Sequence, residues 1–188
     1  MTKKASLIVL AAAICLSGCA SFNTPIYSPN YETIDRVKKR NLQKMSLGEV
    51  QPTDPAAAVN RITLRGASLT PPNGTYSKYL EEAIRSDLTE MGFYDPSSKT
   101  RIDVTILKND INVAGIVTGY GVIEINLKIS KGGSIVLEKP YAAQTEFESS
   151  FAAATAVPKG QGEYPNLIRT LLQKVYSDPT FLEVVKND

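Results

Sequence analysis

"GVIEINLKISKGGSIVLEKPYAAQTEF", residues 121–147, decides the fold. In its first part Ile123, Ile125, Leu127 and Ile129 alternate with Glu124, Asn126, Lys128 and Ser130. Successive side chains of a strand point to opposite faces, so this stretch has one apolar and one polar face. Lys131-Gly132-Gly133 then permits a tight turn, and the run from Ser134 returns as the second arm of a β-hairpin. One wet face and one apolar face describe an antiparallel sheet covered on one side only.

Upstream, "RIDVTIL" (101–107) repeats the alternation, with Ile102, Val104 and Ile106 on one face. Farther back the period changes. In "YSKYLEEAIRSDLTEMGFYD" (76–95), Tyr76, Tyr79, Leu80, Ala83, Ile84, Leu88 and Met91 recur at three- and four-residue spacings, the stripe of an amphipathic helix. Gly92 is placed to end it in the left-handed conformation. Downstream, Leu167, Ile168, Leu171, Leu172, Val175 and Tyr176 form a second helical stripe, with Pro165 suited to its first turn. Asp178 and Pro179 then read as the cap and first residue of a last short helix, "TFLEVVK". Residues 46–65 predict one or two short strands, and "LTPPNGTY" (69–76) a loop. The expected class is α+β: an antiparallel sheet of about four strands, with two helices packed on one face, in the order strand-helix-strand-strand-strand-helix.

The chain has 188 residues and no His. Histidine is the usual general base near neutral pH and the commonest metal ligand, so a Ser-His-Asp triad and a His-containing metal site are excluded. No metal or cofactor is expected, and the expected role is non-catalytic. The first segment, "MTKKASLIVLAAAICLSG", reads as a signal peptide: Lys3 and Lys4, then an apolar run over 5–16 that is too short to span a bilayer of ~30 Å, then small residues.

Its end, Leu16-Ser17-Gly18-Cys19, resembles the lipobox of bacterial lipoproteins. The resemblance implies cleavage between Gly18 and Cys19, a diacylglyceryl group on the Cys19 thiol, and acylation of the new amino terminus by a fatty acid such as palmitate. Ala20 is not the aspartate that favours inner-membrane retention, so the resemblance also implies the outer membrane, facing the periplasm. The runs "YSKYLEEAIRSDL" and "GFYD" look like an uncharacterised proteobacterial lipoprotein family. The element order is similar to that of lipopolysaccharide-assembly lipoproteins and auxiliary lipoproteins of ABC-type transport systems. No functional residue carries over from any of these. The expected organisation is a cleaved signal at 1–18, a lipid-anchored tether with a basic neck at 19–45, and a globular domain at 46–188.

Charge is unevenly spread. Residues 31–45 carry Arg36, Lys38, Lys39, Arg40 and Lys44 against Glu32 and Asp35, while 46–188 hold 14 basic and 17 acidic residues. The five basic residues are candidates for contact with an anionic surface close to the membrane, although charge runs are commonly solvated. Nucleic acid is not an expected partner. "SSFAAATAVPKGQG" (149–162) is an apolar run between the last strand and the helix, which either continues the strand or packs under the helix, or else is an exposed patch in which Phe151 and Val157 are candidates for contact with an envelope protein. Glu146 and Glu148 sit two apart, so in a strand they share a face. Carboxylates such as these two suit an alternative role, cell-wall glycan hydrolysis, although a solvated strand face accounts for them as well. A third reading is a lipid carrier, with acyl chains held under the helices. "GIVTGYG" (115–121) has the glycines of a nucleotide loop but neither their spacing nor a following lysine.

Overall fold

The computed structural model describes residues 21–187. In chain order the elements are β1 (Ser21–Asn23), α1 (Tyr31–Lys38), β2 (Ser46–Leu47), β3 (Ile62–Leu64), β4 (Ala67–Thr70), α2 (Tyr76–Met91), β5 (Thr100–Asn112), β6 (Thr118–Lys131), β7 (Ser134–Glu148), α3 (Ala153–Ser177) and α4 (Pro179–Val184).

The α+β class holds. A four-stranded sheet runs β2-β5-β6-β7, with β5, β6 and β7 joined as long antiparallel hairpins. Ile125 stands opposite Ile106 on one side and Tyr141 on the other, so the apolar faces of three strands coincide. A register shift between Ile106 and Lys108 changes the parity of β5. Ile102, Val104 and Ile106 are buried before it, Asn109, Ile111 and Val113 after it, and Leu107 is turned out to solvent.

The sheet is mixed, which corrects the purely antiparallel expectation. β2 lies parallel to β5. The chain between them contains α2, and a connection through a helix lets two strands pair in parallel where a tight turn cannot. A second sheet, β1-β4-β3, was not expected. Its hairpin turns at Arg65 and Gly66, with φ of 52° and 86°. Two positive φ values in a two-residue loop match the right-handed twist of the flanking strands.

α2 spans the expected residues. The Thr75 side chain accepts from the Lys78 amide at its start, and Gly92 ends it at φ 79°. α3 begins at Ala153 rather than near Pro165. Ala156, Gly160 and Tyr164 continue its buried stripe at four-residue steps toward the N-terminus. A Cβ at Gly160 would lie 2.4 Å from Val113 Cγ1, so glycine lets the helix close onto the end of β5. Pro158 and Pro165 lie inside the helix, where each withdraws one amide from the ladder, and packing holds it instead. Helix and sheet side chains form one buried cluster. Each large apolar side chain sealed in it contributes roughly 1.5–3 kcal/mol.

The tether expected before residue 46 belongs to the fold. β1 pairs parallel with β4, the Thr24 amide donates to Thr70 O at 2.8 Å, and Tyr79 Oη donates to Pro25 O at 2.8 Å. α1 then buries Ile34 and Val37, and Leu42 and Met45 join the same core. The apolar residues interspersed among the charges of 31–45 are what bind this segment down.

Candidate functional site

The described chain starts at one pole of the domain. Ser21 stands beside Ser68, next to the Arg65–Gly66 turn. From that turn the Arg65 guanidinium donates to Val113 O (3.0 Å from Nη2), to Ser150 O (2.7 Å) and to Phe151 O. One side chain thereby ties the β5–β6 loop and the β7–α3 loop together. The Ser149 amide adds a bond of 2.7 Å to Val117 O. On these two loops Ile116, Val117 and Phe151 are 69%, 71% and 80% exposed. Neither residues 113–121 nor 149–158 contain Asp, Glu, Lys or Arg. A shallow groove of about 400 Å³ lies elsewhere, but the one at this pole, ≈ 300 Å³, is walled by Phe22, Leu64, Ala67, Ala153, Ala154 and Val157.

Phe151 and Val157, expected on one patch, are divided by the structure. Phe151 projects from the loop, whereas Val157 is buried under the first turns of α3. Val157 is therefore packing for the helix rather than an exposed contact residue.

The basic residues sit at the opposite pole. α3 has 25 residues, and at 1.5 Å per residue its ends are about 35 Å apart. Phe22 lines the groove at its start, and Arg36 Nη2 donates to Ser177 Oγ at its end (3.0 Å). Lys38, Lys39 and Arg40 follow there, all exposed, and Lys44 donates to Gly92 O. The C-terminal segment brings Lys186 alongside Leu42, and the β6–β7 turn brings Lys131 near Lys99 through a Gly132 N–H···O=C Lys99 bond of 3.1 Å. None of Arg36, Lys38, Lys39, Arg40 and Lys44 is within ion-pair distance of a carboxylate among the described residues. The basic cluster is thus a far pole, not a neck beneath the globule.

Glu146 and Glu148 lie exposed on β7. Glu148 pairs with Lys159, whose hydrogen bond and charge hold its carboxyl below the usual range. A glycosidase acid requires the opposite shift. Gly119 and Gly121 of the glycine-rich run make room for neighbours on β7. A Cβ at Gly119 would lie 2.5 Å from the Phe147 ring. The space under the helices is filled by Ile123, Ile125, Leu167 and Leu171, all fully buried.

Asp87 was missed by the sequence reading. It is buried on α2, and burial raises its carboxyl to about 7. Tyr27 Oη, on the N-terminal strap, donates to it at 3.0 Å from each carboxylate oxygen. The Tyr176 hydroxyl lies nearby without a hydrogen bond of its own, and burial pushes it well above its ordinary value. The signal was available: Asp87 follows Ala83 by four and Ile84 by three, which places an acidic group on the apolar stripe.

Gly18 and Cys19 lie outside the described residues. Among the described residues no helix is long and apolar enough to cross a membrane, and no three His, Cys, Asp or Glu side chains cluster as a metal site would require. No protein-family model and no curated protein sequence matches the chain. Among solved structures it is similar to a Xanthomonas campestris protein of the DUF330 family, at 12% identity over 84% of this chain and 95% of that one, with a TM-score of 0.55. It is also similar to a minor lipoprotein of Acinetobacter baumannii, at 15% identity over 75% of this chain and 92% of that one, with a TM-score of 0.45. At such identities the likeness is one of fold, and the Xanthomonas protein shares this one.

Proposed function

We propose that the protein is a lipid-anchored, non-catalytic binding module of the bacterial outer membrane, facing the periplasm. The observation that carries the reading is the position of Cys19, the last residue of the lipobox, two residues before the strand that starts the fold. Two or three acyl chains on Cys19 give a stable anchor where one alone binds reversibly. With β1 fastened to β4 and Tyr27 fastened to Asp87, the anchor holds a rigid body rather than a globule on a leash. α3 then displaces the basic pole by about 35 Å from the anchored end. That is several Debye lengths at physiological ionic strength, so the lysines there act on a periplasmic partner and not on the membrane that holds the anchor. The partner is an envelope protein with an acidic surface.

The lack of histidine and the downward shift at Glu148 support a non-catalytic role. The test is Cys19→Ser with radioactive palmitate labelling and membrane fractionation. The expected result is loss of all label and release from the outer-membrane fraction. Label retained on the Cys19→Ser chain, or a wild-type chain without acyl groups by mass spectrometry, overturns the reading.

A further inference from the structure

The geometry points to a second membrane contact: the uncharged pole, through Ile116, Val117 and Phe151, rests in the interface of the phospholipid bilayer that holds the anchor. This inference rests on the lipid-anchor reading. Covalent geometry limits the reach from Ser21 back to Cys19 to about 7 Å. The anchored residue therefore lies at the pole where Ser21 meets the Arg65–Gly66 turn.

Three observations then select lipid as the occupant. Ile116, Val117 and Phe151, each more than two-thirds exposed, stand together on two neighbouring loops. The loops that carry them are themselves free of formal charge, and the charges that flank the Phe151 loop, Glu148 and Lys159, neutralise each other in an ion pair. The cation that touches both loops, Arg65 of the β3–β4 turn, has its guanidinium committed to the carbonyls of Val113, Ser150 and Phe151. It neutralises loop dipoles, removes carbonyls that would otherwise need water, and fixes both loops at the same level. A protein partner with an acidic face is suited to the far pole, where Lys38, Lys39 and Arg40 are exposed, and has no counterpart here.

The chain contains no Trp, which allows a single-tryptophan reporter. Full-length acylated protein carrying Phe151→Trp, or Val117→Trp in the second loop, is reconstituted in vesicles of phosphatidylethanolamine and phosphatidylglycerol with brominated acyl chains. Both reporters are expected to shift to the blue and lose most of their emission to bromine. Ile135→Trp, 60% exposed at the β6–β7 turn of the far pole, is expected to keep its emission. Unquenched Phe151→Trp and Val117→Trp on vesicle-bound, acylated protein overturn the docking while leaving the anchor intact. A blue shift that follows protein concentration without vesicles assigns the surface to a second copy and also overturns it. Protein that carries no acyl group by mass spectrometry overturns the anchor reading and the docking with it.

Discussion

The two ends of α3 differ in almost every respect except that both are exposed. At its start, two loops present Ile116, Val117 and Phe151 with no charge among them. At its end, Lys38, Lys39 and Arg40 are exposed, Arg40 and Lys186 line one groove, and no carboxylate pairs with the first three among the described residues. The first end is held by one side chain bonded to backbone carbonyls, and the second by apolar anchors (Ile34, Val37, Leu42) set between charges. The contrast teaches that polarity along this domain is organised by height, not by face. A body with one end that presents uncharged apolar loops and one basic end about 35 Å away can bind two different surfaces at once.

The comparison can be broken first at the strap that joins the poles. Asp87 has a folded-state pKa of about 7 because burial disfavours its charge, against a value near 4 in the unfolded chain. The folded state therefore holds the extra proton between about pH 4 and pH 7. Stability is expected to fall through that window as the pH rises, by on the order of 4 kcal/mol, and to level off above it. Asp87→Asn is expected to remove this slope, as read from urea unfolding midpoints across the window. A slope that persists in the variant places the titrating group elsewhere.

Next comes the uncharged pole. Gly160→Val drives side-chain atoms into Val113 and is expected to cost about 3 kcal/mol in thermal or urea unfolding. Arg65→Ala leaves the carbonyls of Val113, Ser150 and Phe151 to water and is expected to cost about 2 kcal/mol. Hydrogen exchange localises that loss: amides of the two loops should exchange faster, while those of α1 and α4 stay protected. Uniform acceleration would mean that Arg65 supports the whole fold and not one pole. The smallest effect on stability is expected at the far pole. Lys38→Glu, Lys39→Glu and Arg40→Glu together should move the unfolding free energy by less than about 0.5 kcal/mol each, since all three are exposed and outside ion-pair distance of any described carboxylate. Cross-linking in intact cells should nonetheless lose its acidic partner. A partner retained by the triple variant separates the basic pole from the binding function.

Local patterns made much of this legible. β6 and its hairpin, α2 with its Gly92 cap, and α4 with its Asp178 cap were readable because each is specified by neighbours within a few residues. The first turns of α3 were not. Ala156 and Gly160 carry little hydrophobic signal, and Pro165 resembles a helix start when the sheet beneath it is unseen. β1 was hidden for another reason, since three residues show no period, and β2, expected as a short strand, hid its parallel pairing because the partner lies far along the chain. The run that holds Phe151 and Val157 could be read as packed or as exposed, and the structure divides it, with Phe151 exposed and Val157 buried.

By itself, the sequence determined the α+β class, the lipobox-like run ending at Cys19 and the +3 character of residues 31–45, because composition and short-range spacing suffice for each. Only the tertiary structure decided where those charges stand. A segment twelve residues beyond the lipobox reads as a neck near the membrane, yet hydrogen bonds from Thr24 to Thr70 and from Tyr27 to Asp87 carry it along the domain to the far end. Those contacts span 46 and 60 residues of chain, a separation at which no local pattern reveals which groups will meet.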